Sequence, residues 1–206
     1  MEREYKYELT AAVWQSVYQA LFEKKEYHTI KMDARYLDTP SRMLRSSFAA
    51  LRLRKEVTDG KPETVACVKL PAAGDRFGGA LRNREEYECA VDTLLPDFDV
   101  FDVPEAVLDA LIAVGAPEKL LKAAAREGFT DIARVSYTRL ERKVRAGENV
   151  CTVCMDKGFL GKHPFMELEI EHKRGDFAVT KQFAEQFASD FHLEAQPLSK
   201  LARALQ

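Results

Sequence analysis

The stretch Glu2-Arg3-Glu4-Tyr5-Lys6-Tyr7-Glu8-Leu9 decides the fold. Glu2, Glu4, Lys6 and Glu8 occupy the even positions, and Arg3, Tyr5, Tyr7 and Leu9 the odd ones. Successive side chains of a β-strand point to opposite faces, so a period of two is the period of a strand. Residues 1–9 are therefore predicted to form a strand with an ionic face and a largely apolar one.

The same division recurs along the chain. Arg52 and Arg54 oppose Leu51 and Leu53, and Lys69 shares a face with Cys67 while Ala66, Val68 and Leu70 lie opposite. Arg84, Glu86 and Glu88 oppose Tyr87 and Cys89, and Asp156 ends a strand that begins at Asn149. Glu167, Glu169 and Glu171 oppose Met166, Leu168 and Ile170. A single strand with a solvated face is ordinary, but a charged face on nearly every strand asks for a common cause. Turn residues place the strands at 31–38, 48–57, 64–70, 84–91, 133–145, 149–156 and 164–172. Between them, residues 10–25 set Val13, Trp14, Val17, Leu21 and Phe22 on one helical stripe with Thr10 as N-cap. A helical insertion is expected at about 104–127 and C-terminal helices at about 176–206, with Val179, Phe183, Phe187 and Phe191 repeating every four residues. The expectation is one α+β domain, residues 1–206, built on an antiparallel sheet.

Composition narrows the function. The 206 residues carry 31 Lys+Arg against 33 Asp+Glu, a net charge of −2. So even a balance argues against a nucleic-acid surface or a basic membrane-docking face. The chain is charged from Glu2 onward, which is not how a signal peptide begins, and no apolar run approaches the roughly 18 residues of a membrane span. Cys151 and Cys154 are three residues apart on a strand and point to opposite faces, and no second Cys or His pair completes a zinc site. With Cys67 and Cys89 they read as plain thiols, and the expected compartment is the cytoplasm. His28, His163, His172 and His192 lack ligand spacing, and the glycine-rich loop Ala72–Ala80 lacks the Gly-Lys-Ser/Thr ending of a P-loop. It reads as a mobile hairpin connection.

The sorting of the charges carries the chemistry. Carboxylates concentrate on the first and last strands, and paired arginines on an interior one. Glutamates at i, i+2 and i+4 repel one another unless a cation or a base relieves them. Hard divalent cations take carboxylate oxygens, while arginine forks two residues apart suit phosphate oxygens. The combination predicts a metal ion bound beside a polyphosphate.

These residues resemble the CYTH superfamily, the triphosphate tunnel metalloenzymes. Glu2-Arg3-Glu4-Tyr5-Lys6 is similar to the family's ExExK signature, Tyr36-Leu37-Asp38-Thr39 to its second strand, and Leu51-Arg52-Leu53-Arg54 to its RxR strand. Lys69, Arg84-Glu85-Glu86-Tyr87-Glu88, Arg139, an Asp-x-Gly turn at Asp156-Lys157-Gly158, Glu167-Leu168-Glu169-Ile170-Glu171 and Ser199-Lys200 follow in the family's order. The resemblance spans nearly the whole chain. It implies an eight-stranded antiparallel β-barrel with helices packed outside and the ionic faces turned into a tunnel. Parity by itself fits an open sheet equally well.

Carried over residue by residue, the resemblance implies that Glu2, Glu4, Glu167, Glu169 and Asp156 hold Mg²⁺ or Mn²⁺. Lys6, Arg52, Arg54, Lys69, Arg139 and Lys200 would bind the triphosphate, with Arg84 and Arg134 as further members, and Glu171 would complete the acidic lining or position water. Lys69 with Tyr36, and Glu86 with Glu88, would position and deprotonate water. Arg134 and Arg139 have opposite parity, so without a bulge only one faces inward, and Arg139 is favoured. The implied activity is a metal-dependent triphosphatase that releases orthophosphate from tripolyphosphate, thiamine triphosphate or an ATP-like compound. A class IV-type adenylyl cyclase and a non-catalytic polyphosphate- or nucleotide-binding barrel are the alternatives.

Overall fold

A strand that is apolar on one face and ionic on the other must hide both, and closure of the sheet does so. The computed structural model describes residues 1–72, 79–95, 97–99 and 102–206. In chain order its elements are β1 (Glu2–Glu8), α1 (Ala11–Leu21), β2 (His28–Asp38), α2 (Met43–Ser46), β3 (Ala50–Thr58), β4 (Lys61–Pro71) and β5 (Leu81–Ala90). Then come α3 (Glu105–Ala113), α4 (Glu118–Glu127), β6 (Thr130–Ala146), β7 (Asn149–Leu160), β8 (His163–Arg174), α5 (Phe177–Asp190), β9 (Glu194–Ala195) and α6 (Lys200–Ala204). Strands pair antiparallel in the order β5-β4-β3-β2-β6-β7-β8-β1, with the short β9 beside β1. Pairing of β1 back onto β5, with Glu2 opposite Arg84 and Tyr5 opposite Leu81, closes an eight-stranded barrel. Closure removes the free sheet edges.

Outside the barrel, the apolar faces are covered by helices. Leu51, Leu53, Ala66 and Val68 of β3 and β4 pack with Leu44 of α2, Val107 and Leu111 of α3, and Leu121 of α4. On the other side Tyr5, Tyr7, Val153, Met155, Leu168 and Ile170 pack with Val17 and Leu21 of α1 and Phe187 of α5. Each such side chain contributes about 1.5–3 kcal/mol on burial, so the outer cores dominate the folding energy. Thr10 is the α1 N-cap residue, but its side chain makes no capping hydrogen bond. Asp176 caps α5 by accepting from the Ala178 N–H at 2.9 Å. The α5 residues that bury fully are Thr180, Ala184 and Phe187, while Phe183 and Phe191 flank them. A strict i+4 row drifts around a helix of 3.6 residues per turn, so the buried stripe alternates steps of three and four.

A third cluster lies on the inward side of β2 and β6. Ile30, Met32, Ala34, Tyr36, Val135 and Tyr137 pack with Leu160 and Phe165, and Leu201 and Ala204 of α6 close on them. The glycine-rich connection expected at 72–80 has residues 73–78 outside the described residues.

Asp156-Lys157-Gly158 is part of strand β7 and not a turn; the chain reverses at Gly161, whose φ is 60°. Gly158 is required for a different reason. A Cβ there would stand 2.1 Å from the Ser136 carbonyl oxygen and 2.4 Å from Tyr137 Cα on β6, where no backbone can give way cheaply. Gly158→Ala is expected to destabilise the protein by at least about 2 kcal/mol, read in a thermal melt as a Tm fall of roughly 4–8 °C or more. An unchanged Tm would show that β6 and β7 are not in such close approach.

Candidate functional site

The barrel encloses a cavity of about 790 Å³ whose lining is set by strand parity. Even-numbered residues of β1, β2, β3 and β5 face it, as do odd-numbered residues of β4, β6 and β8. Carboxylates line one side: Glu2 and Glu4 from β1, Glu169 and Glu171 from β8. Glu4 stands opposite Glu171, and Lys6 opposite Glu169. Bases come mainly from β3, β4 and β5, as Arg52, Arg54, Lys69, Arg82 and Arg84, interleaved with Glu56, Glu86 and Glu88.

Buried charge forces a dense network. Lys6 Nζ lies 2.8 Å from Glu169 Oε1 and 3.3 Å from Glu4 Oε1. Lys69 Nζ donates to both Glu2 oxygens at 3.0 and 3.2 Å and lies 3.0 Å from Glu86. Burial disfavours the Lys69 ammonium, but Glu2 and Glu86 outweigh it and hold the group above its ordinary range. Glu86 also accepts from the Cys67 thiol at 3.1 Å and has Arg52 at 3.6 Å. Burial raises the Glu86 carboxyl, but Lys69 and Arg52 prevail and hold it well below the usual range. Burial pushes the Cys67 thiol up to about 12, so it stays a neutral donor. Glu88 has a half-exposed side chain with Arg54 at 3.5 Å.

A second network lies beneath the lining. Asp156 and Glu167 are fully buried and, with Glu169, place carboxylate oxygens within 4.8 Å of one another. The Lys200 ammonium sits among all three, 2.8 Å from Asp156 and 2.9 Å from Glu169 and bonded to Glu167. Arg139 grips Asp156 with two hydrogen bonds of 2.8 Å, and Arg203 bonds to Glu167. Burial opposes ionisation of Glu169, yet Lys200, Lys6 and Arg139 hold its carboxyl well below the ordinary range.

Thus the five carboxylates expected to hold a metal divide. Glu2, Glu4 and Glu169 line the cavity, whereas Asp156 and Glu167 lie under it, already matched by Lys200, Arg139 and Arg203. Burial, offset only in part by Lys6 and reinforced by Glu2 and Glu169, pushes the Glu4 carboxyl up to about 7. Burial also raises Glu171 against the pull of Lys173. Glu4 is thus the under-neutralised member of a group of hard oxygen donors, the kind a divalent cation takes.

The basic side has the opposite signature. Arg52 is buried, and its Nε has no hydrogen-bond partner among the described residues. Buried N–H donors are seldom left so, and an anion in the cavity would complete it. Tyr36 lines the cavity opposite Arg52 in the β2–β3 register. The hydrogen-bond partners of Lys69 among the described residues are Glu2 and Glu86, not Tyr36. Arg84 lines the cavity opposite Glu2. Arg139 and Lys200 line it as well, but their donors are committed to carboxylates. Arg134, expected as a further member, lies outside the barrel: it pairs with Asp33 at 2.9 Å and Asp99 at 3.0 Å because its parity is opposite to that of Arg139.

Four participants escape a reading by motif. Arg82 follows from carrying the Arg84 parity two residues back, and Arg203 from the i, i+3 spacing to Lys200 on one helix face. Glu141 and Lys173 continue the inward rows of β6 and β8. Cys151 faces the outer core, while Cys154 lies inward, 3.7 Å from Glu141.

Comparison with known proteins places the fold. A Hippeastrum adenylyl-cyclase candidate, described as having a dominant triphosphatase activity, superposes with a TM-score of 0.68 at 21% identity, over 98% of this chain and 94% of that one. The PH1819 protein of Pyrococcus horikoshii gives 0.60 at 18% identity, over 100% and 98% of the two chains. A Bacillus halodurans protein described as an adenylate cyclase candidate gives 0.57 at 15% identity, over 97% and 96%. At such identities the likeness is one of fold. No protein of curated function matches the chain. The sequence pattern of the CYTH domain matches residues 1–205, and the chain belongs to the CYTH domain family.

Proposed function

We propose that this chain is a divalent-cation-dependent triphosphatase, which hydrolyses tripolyphosphate or a small triphosphorylated compound and releases orthophosphate. The observation that carries the reading is the gathering of bases and carboxylates in one cavity, with Arg52, Arg54 and Lys69 lining it together with Glu2, Glu4 and Glu169. The activity described for the Hippeastrum protein supports it. No described helix is long and apolar enough to cross a membrane, and the four cysteines are free, which suits a reducing cytoplasm.

In this reading Glu2, Glu4 and Glu169, with Glu171 beside Glu4, would hold Mg²⁺ or Mn²⁺. The cation supplies Lewis acidity and neutralises phosphate charge. Arg52, Arg54, Arg84 and Lys69 bind phosphate oxygens, and the free Arg52 Nε gains its partner there. Lys69 is held protonated by Glu2 and Glu86, so it stabilises charge in the transition state and does not abstract a proton. Glu86 is held ionised by three donors and is a weak base. Glu88, whose ion-pair partner among the described residues is Arg54, takes the proton as water oxygen bonds to the terminal phosphorus and the bridging P–O bond breaks. Lys6, Arg139 and Lys200, which also line the cavity, and Arg203 behind them fix the carboxylates around the cation site.

Incubation with Mg²⁺ and tripolyphosphate should release orthophosphate, and EDTA should abolish it. Cyclic AMP and pyrophosphate from ATP, with no orthophosphate from tripolyphosphate, would establish the cyclase instead. Glu4→Gln should lower kcat by about 10²-fold or more while far-UV circular dichroism stays unchanged; normal turnover would remove Glu4 from the metal site. Arg52→Ala should lower kcat/KM for tripolyphosphate by roughly 10²-fold, and an unchanged value would exclude phosphate binding at β3.

A further inference from the structure

Two tyrosines line the cavity and are almost wholly buried: Tyr36 from β2 and Tyr137 from β6. A phenol placed out of water normally finds a partner for its O–H. Elsewhere in the fold this holds: Tyr7 donates to the Ala184 carbonyl at 3.2 Å, and Tyr87 to Glu85 at 3.1 Å. The Tyr36 and Tyr137 hydroxyls have no hydrogen-bond partner among the described residues. Tyr36 stands directly opposite Arg52 in the β2–β3 register, and the Arg52 Nε is likewise unbonded.

The Tyr137 ring is fixed from several sides. Lys200 Nζ lies 5.0 Å and Arg139 Cζ 5.8 Å from its centroid, and the Phe165 ring meets it edge-on at 5.8 Å. Its strand neighbour is Gly158, where a Cβ would come within 2.5 Å of the Tyr137 Cβ. The charge around the phenol is mainly positive. Burial raises it, while Arg139, Lys200 and Arg52 pull it down against Asp156. Arg139 and Lys200 spend their donors on carboxylates, whereas Arg52 keeps one in reserve. Unfilled donors thus gather at this part of the cavity, and the Glu86 carboxylate beside Arg52 is already taken by Lys69 and Cys67. Donors without an acceptor call for an anion.

We infer that Tyr137 is a substrate-binding residue, whose hydroxyl donates a hydrogen bond to a phosphate oxygen of the triphosphate beside Arg52 Nε. A phenol suits the position. Arg139 and Lys200 are balanced by Asp156, Glu167 and Glu169, and a further cation there would upset that match. A neutral donor binds an anion without doing so. The inference rests on the placement of a triphosphate in this cavity and assigns it a donor from β6.

The test measures tripolyphosphate binding by titration calorimetry in EDTA, and its hydrolysis with Mg²⁺, in wild type, Tyr137→Phe and Tyr137→Leu. Tyr137→Phe keeps the ring and loses only the donor. It should raise Kd and KM by about ten-fold, with kcat within about two-fold and Tm within about 2 °C. Tyr137→Leu also takes the ring from Lys200 and Arg139; it should lower Tm by several degrees and bind no better than Tyr137→Phe. Wild-type Kd and KM in Tyr137→Phe overturn the inference. Weakened binding with a Tm fall equal to that of Tyr137→Leu overturns it too, since packing would then explain the loss. Wild type that binds tripolyphosphate without hydrolysing it, with Tyr137→Phe about ten-fold weaker, supports the inference and overturns the triphosphatase reading. Wild type that does neither overturns both.

Discussion

The structure depends on burying an ionic face without leaving any charge alone. A carboxylate or ammonium removed from water costs several kcal/mol unless it is paired and hydrogen-bonded. Here Asp156 and Glu167 are fully buried, and four basic groups converge on them and their neighbour Glu169. Lys200 is the hub. Burial works against its ammonium, but Asp156, Glu167 and Glu169 together hold it well above the ordinary range. This matched layer is fixed before any ligand arrives. It lets the unmatched layer above it, with Glu4 raised and Arg52 Nε unpaired, be reserved for a cation and an anion.

The barrel and its helices follow from the same constraint. Turning the ionic faces inward turns the apolar faces outward, and those must be covered. α1 and α5 cover β1, β7 and β8, while α2, α3 and α4 cover β3 and β4. α6 joins the apolar and the ionic layers, because Leu201 and Ala204 close on the inward cluster of β2 and β6 while Lys200 and Arg203 enter the ionic network. The end of the chain is thereby tied energetically to the site.

Much of this was legible in the sequence because strand parity is a local property. The rows Glu2-Glu4-Lys6, Arg52-Arg54 and Glu167-Glu169-Glu171 face inward as their period requires, and parity separates Arg139 inside from Arg134 outside. What parity does not carry is depth and long-range pairing. It gives Glu167 and Glu169 the same face but does not say that one is sealed beneath Lys200 and Arg203 while the other reaches the cavity. Closure depends on β1 meeting β5, about eighty residues away, which no local pattern encodes. Asp156-Lys157-Gly158 reads as a turn because glycine is a turn residue, yet here glycine answers a close approach of two strands. The inward face of β2 carries no charge at Ile30, Met32 and Ala34, so the apolar side of the cavity emerges only once the barrel is closed.

The carboxylates and bases that line one cavity are held here to receive a divalent cation and a triphosphate together. A crystal structure of the protein soaked with Mn²⁺ and tripolyphosphate, with data collected at the manganese edge, tests this most directly. An anomalous peak is expected among Glu2, Glu4 and Glu169, with phosphate density against Arg52, Arg54 and Lys69. Manganese or phosphate bound only outside the barrel would contradict it.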